Sequence, residues 1–202
     1  MPNTTNNNWP TPADTDLVKN GADAIRDLGN AIDTTLGVYS PVTPGLVKIN
    51  TTSFNGVSTQ TFNDVFSTTY DNYKIVIKGT NAGQVAASFR LRVSGTDASG
   101  ANYTFQSIQA DSTTVAGVKQ SSVTSADFVN LASVMSNAET TLFSPFLAEE
   151  TSYISNSAFN VSGARNYQFA GSHSLATSYT GITIIAASGT MTGTMSIYGF
   201  TK

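Results

Sequence analysis

Apolar residues recur near the amino terminus at spacings of three, four and seven. In DTDLVKNGADAIRDLGNAIDTTLG, Asp14 to Gly37, the residues Leu17, Val18, Ile25, Leu28, Ile32 and Leu36 line one side of a helix. Asp16, Lys19, Asp23, Arg26, Asp27, Asn30 and Asp33 make the opposite, solvated side. A helix of this length is marginal alone in water, so its stripe needs cover. Either it lies on its own domain, or it packs against copies of itself. Self-association is the preferred reading. Val18, Ile25 and Ile32 at a, with Gly21, Leu28 and Thr35 at d, form a short heptad seam. Gly21 and Gly29 each cost about 1 kcal/mol relative to alanine in a helix interior. Glycine fits there if a neighbouring backbone comes close. Leucine fills only one of the three d positions, so the heptads leave the stoichiometry open.

Residues 1–12 are polar and expected to be extended until they dock. Trp9, the only tryptophan, sits among Pro10 and Pro12, as an aromatic anchor in a docking peptide would. A tryptophan packed on its own domain is the equal alternative. Thr11 as cap, Pro12 at the first position and Asp14 as a capping acid mark a helix start. Gly37 is expected to close the helix in a left-handed conformation. Val38 to Gly45 (VYSPVTPG) is a stiff linker, because Pro41 and Pro44 forbid helix. The division is therefore an attachment peptide (1–12), an oligomerisation helix (13–37), a linker (38–45) and a head (46–202).

From Leu46 the period changes to two. Tyr73, Ile75 and Ile77 share a face, and Phe89, Leu91 and Val93 alternate with Arg90 and Arg92. Gly95 to Gly100 is a turn, and a strand starts at Tyr103-Thr104-Phe105. Weaker strands are expected near 113–118, 126–134, 139–147 and 158–169. Gly181 to Phe200 reads as two arms separated by a turn at Gly189. Many short strands without internal repeats predict a mainly β chain, with a jelly-roll-like β-sandwich after the helix.

Charge then narrows the function. Charged residues make up 11% of the chain, well below the usual quarter. Residues 1–37 hold five acids against Lys19 and Arg26, and the remainder has eight of each sign. There is no basic patch for nucleic acid and no apolar run long enough for a membrane. The start, MPNTTNNN, lacks the charged and apolar regions of a signal peptide. The chain has no cysteine and one histidine, His173, expected in a loop. No thiolate or multi-histidine metal site and no Ser-His-Asp triad is expected, and no cofactor motif occurs. Glu149 and Glu150 would point to opposite faces of a strand, and only distant Glu139 or Asp127 could complete a glycosidase pair. Asp97 in the Gly95 turn offers one carboxylate, too few for Ca²⁺. The chain is therefore not expected to be an enzyme. Tyr39, Tyr70, Tyr103, Tyr153, Tyr167 and Tyr179 fall at strand ends or loops, where tyrosine serves recognition, although it also fills cores.

Two stretches resemble bacteriophage proteins. WPTPADTDLVKNGADAIRDLGNAIDTTLG is similar to an N-terminal segment that recurs in phage tail and fibre proteins. Tyr70-Asp71-Asn72-Tyr73-Lys74-Ile75-Val76-Ile77, Leu91-Arg92-Val93-Ser94-Gly95 and Ile197-Tyr198-Gly199-Phe200 are similar to β-rich distal domains of fibre and minor structural proteins. The resemblance implies a trimer on the outside of a virion, on tail or head. Trp9, Pro10 and Pro12 would attach to another virion protein, and the head would face a bacterial surface glycan or protein. It names no receptor-binding residue. A non-adhesive head fibre, collar or decoration protein is the alternative.

Overall fold

The structure, a computed structural model, describes residues 3–5, 7–11, 20–38 and 45–202. The chain divides into two compact units, residues 1–44 and 45–202. In the first, α1 runs Gly21–Val38. The helix passes through Gly37 rather than ending there as a left-handed cap. Leu17, Val18, Lys19, Pro12 and the Asp14 cap lie outside the described residues. The amino-terminal segment is folded where an extended peptide was expected. Asn3 and Pro10 form a bridge, Thr4 N–H donates to Trp9 O (2.8 Å) and Trp9 N–H donates to Thr4 Oγ1 (3.0 Å).

The second unit is a two-layer antiparallel sandwich. Its strands are β1 (Leu46–Val57), β2 (Thr59–Phe62), β3 (Asn72–Asn81), β4 (Val85–Val93), β5 (Thr96–Asp97), β6 (Tyr103–Ala110) and β7 (Val115–Val123). Then come β8 (Ala126–Leu131), β9 (Ser136–Phe143), β10 (Thr151–Asn160), β11 (Ala164–His173), β12 (Gly181–Ala186) and β13 (Met191–Phe200). One sheet has eight strands, in the order β1-β13-β3-β9-β10-β11-β6-β7. The other has the order β2-β12-β4-β5, with β8 also paired to β4. Eight strands against five depart from the even division of a jelly roll. The edge strand β7 shows the consequence, being exposed or half-exposed along its whole length.

Two expectations change here. The stretch 158–169 is a hairpin and not one strand: Ser162 (φ 56°) and Gly163 (φ 139°) turn β10 back into β11. Gly189 is a turn with φ 67°, but its two arms enter different sheets, β12 the smaller and β13 the larger.

Alternation places the core. In β10, Thr151, Tyr153, Ser155, Ser157 and Phe159 are buried between exposed Ser152, Ile154, Asn156, Ala158 and Asn160. Phe89 sits edge-to-face with Tyr153 (5.0 Å), Phe128 (5.7 Å) and Tyr103 (6.3 Å) at the centre. Strands β3 and β13 bring the terminal motif beside the Tyr70 motif: Ile197 pairs with Ile75, and Tyr73 with Gly199. The Tyr70 ring lies where a Cβ on Gly199 would stand, so only glycine fits there.

Serines inside this core have a specific task. The outer edge of β8 has no strand beside it, and hydroxyls from the opposite sheet satisfy its backbone instead. Tyr153 donates to Asp127 O (2.6 Å), Ser155 to Phe128 O (2.5 Å) and Ser157 to Asn130 O (3.4 Å). Asn130 N–H donates to Ser157 Oγ (3.2 Å), and Ala132 N–H to Ser136 Oγ (3.1 Å). Buried backbone groups need partners, and this seam supplies them without a further strand.

Candidate functional site

The chemistry-bearing residues resolve first into structural roles. His173 ends β11 and is buried, contrary to the expected loop. Its ring packs on Tyr103 (4.3 Å) and Tyr179 (5.2 Å), with Tyr179 Oη 3.4 Å from Nδ1. Burial lowers its pKa below the ordinary 6.5. The imidazole is therefore held neutral, and this contribution to stability is present above pH 6.5. It is lost as pH falls from 6.5 towards the lower folded value, because the unfolded chain takes up the proton first. His173→Phe is expected to flatten this acid-side loss in melting temperature measured across that interval. Parallel curves for the two proteins would show that His173 contributes nothing to it.

The tyrosines likewise fill the core. Tyr103, Tyr153, Tyr167 and Tyr179 are buried and Tyr70 is half-buried against it, while Tyr39 lies outside the described residues. Tyr167 donates to Asp111 (2.7 and 2.8 Å), and burial pushes its hydroxyl up to about 12. Asp97 is held by Arg92 and by Thr183 Oγ1 (2.7 Å), contacts that anchor the hairpin. Asp127 is on the smaller sheet, and Glu139 faces outward on the larger one. Desolvation raises the Asp127 pKa, opposed by the hydrogen bond from Ser88 (2.6 Å). Glu149 and Glu150 are exposed in the β9–β10 connection. These four acids are not brought together as a pair across one cleft. Among the described residues no group of three or more potential metal ligands occurs.

The seam residues of α1 divide. Gly21, Leu28, Ile32 and Thr35 are half-buried, and beside the seam Ala31 is half-buried and Ala24 buried. Ile25 and Leu36 are 67% and 61% exposed. Trp9 Nε1 donates to Thr35 Oγ1 at 2.9 Å, so the indole is docked on its own helix. Pro10 is half-buried at the Asn3 bridge, and no described helix is long and apolar enough to cross a membrane.

What remains is a surface, the outward face of the eight-stranded sheet. Four shallow depressions of about 290 to 400 Å³ lie on it. Register sets the rows: Thr141, Ile154, Ala170 and Gln106 in one, and Glu139, Asn156, Gln168 and Ile108 in the next. Ile108, Ile154 and Val76 on this face are 54%, 53% and 41% exposed. Its one carboxylate, Glu139, is paired with Lys74 at 2.7 Å, whose ammonium holds the carboxyl below its usual range. The remainder is mostly amide, hydroxyl and aliphatic, with Lys78 and Lys119 also exposed on this face. Sequence reasoning missed this face because it depends on which strands are neighbours. The signal present in the chain was the off-phase set Ile154, Asn156, Ala158 against Tyr153, Ser155, Ser157.

A scan against protein-family models, a search of curated proteins and a search of solved structures each returned no match.

Proposed function

We propose that the chain is a fibre protein on the outside of a bacteriophage particle, a trimer joined by α1 and displaying the sandwich as a receptor-binding head. The observation that carries this is the exposure of Ile25 and Leu36 on a helix whose stripe needs cover. Burial of one isoleucine stabilises by about 1.5–3 kcal/mol, and a second and third copy would provide that burial. The segment of Trp9, Pro10 and Pro12 forms the attachment end, which meets another virion protein while the Trp9 indole braces it on α1. The head, a jelly-roll-like sandwich with one enlarged sheet of eight strands, carries no catalysis in this reading. It works by multivalency: several weak contacts to a bacterial surface glycan or protein add through one particle.

The test is adsorption. Purified full-length protein, fluorescently labelled, is expected to stain a subset of a bacterial strain panel, and antibody to the head is expected to block it. If no strain is stained and particles lacking the protein adsorb normally, the alternative of a non-adhesive structural protein replaces this reading.

A further inference from the structure

One groove lies over β11, between Ile108 on β6 and Ile154 on β10. Its volume is about 330 Å³, at the small end for a ligand pocket and suited to a single ring. Ala170 forms the floor, and the amides of Gln106, Gln168 and Asn156 surround it. Gln106 and Gln168 are held in the sheet by their backbones, and their side-chain amides make no hydrogen bond within the chain, so a donor and an acceptor of each face the groove. Asn156 reaches Glu139. No ionisable side chain lines the groove.

We infer that this groove is a subsite for a neutral N-acetylated sugar, which deepens and rests on the receptor-binding reading above. Two aliphatic walls and an alanine floor accept the acetamido methyl and the C–H face of a pyranose. Planar amides match vicinal hydroxyls and the acetamido group, since each offers a donor and an acceptor side by side. No cation lines this groove to pair with an anionic sugar; Lys119 lines the adjoining depressions beside Gln106, which is why an anionic probe belongs in the test. A second copy of the chain is the weaker occupant. Phe169 borders the groove but is buried on the inner face, and the exposed residues around it include no aromatic, methionine or arginine, the types that enrich the centres of protein interfaces. One small, open groove gives weak affinity, on the order of 1 mM, and the assembled particle multiplies it.

The experiment uses the full-length protein with labelled isoleucine methyls. Three probes are titrated: triacetylchitotriose, maltotriose and trigalacturonate. Triacetylchitotriose is expected to shift the Ile108 and Ile154 methyls selectively. Ala170→Trp, which fills the floor at an exposed position, is expected to weaken that binding at least about tenfold and to abolish cell staining. Equal shifts from maltotriose overturn the acetamido assignment, and stronger shifts from trigalacturonate overturn the neutral one. A change in the mass of the assembly on Ala170→Trp overturns the subsite in favour of a contact between copies. Staining that survives Ala170→Trp, with no sugar moving these methyls, overturns the groove and leaves the receptor reading standing. Sugar-dependent shifts without staining of any strain support the groove and remove the receptor reading.

Discussion

Replacing Ile25 and Ile32 together by aspartate in the full chain is expected to leave single chains of 21.2 kDa, where the proposed trimer is expected of the unmodified protein. Both residues are a positions of the seam, and in a parallel assembly identical a residues meet at the axis. Aspartate there would place like charges in one desolvated layer, and each lost isoleucine removes about 1.5–3 kcal/mol of burial. The single chain tolerates the change at Ile25, which is two-thirds exposed already. Arg26→Ala is the matched control. Arg26 and Asp23 pair at 2.9 Å with both side chains mostly exposed, so little is lost. An unchanged mass for the double variant would place the interface elsewhere.

The second large effect is expected from Ser155→Ala with Ser157→Ala. Both hydroxyls are buried, and between them they hold Phe128 O, Asn130 O and Asn130 N–H along the open edge of β8. Ser155 also sits 2.8 Å from Thr140 Oγ1. Each change leaves buried backbone groups without partners, at about 1–3 kcal/mol per site. That is a large share of the roughly 5–15 kcal/mol of a typical domain. Chemical denaturation should show a lower midpoint, with the far-ultraviolet spectrum unchanged below the transition. Amide exchange should quicken first in Ala126–Leu131, because its outer edge loses its anchors. A midpoint unmoved from that of the unmodified protein would mean that the seam carries no net stability.

How much of this was legible depended on whether a residue's task is local. The mainly β character and the alternation of Phe89, Leu91 and Val93 were readable, since side chains in a strand repeat every two residues. The β10–β11 turn was not, because Ser162-Gly163 looks like many other Ser/Gly pairs in this chain and Val161 before it is apolar. His173 stood between Ser172 and Ser174 and looked like loop. Its real phase, two-residue steps from Tyr167 and Phe169, needed the strand to be recognised first. The seam serines were illegible for a deeper reason. A polar residue at an inward position makes sense only once β8 is known to lie opposite with an open edge. The outward face of the larger sheet was illegible for the same reason, since Ile108 and Ile154 become neighbours only through β11.

The most direct test of subunit contact uses the absence of cysteine, which makes any introduced thiol unique. Ile25→Cys and, on the opposite side of the helix, Asn30→Cys are oxidised at micromolar concentration in the full chain. Rapid disulfide dimers from Ile25→Cys alone, at a rate independent of dilution, are expected of identical residues meeting at one axis. Monomers from both variants, sedimenting as single chains, would contradict it.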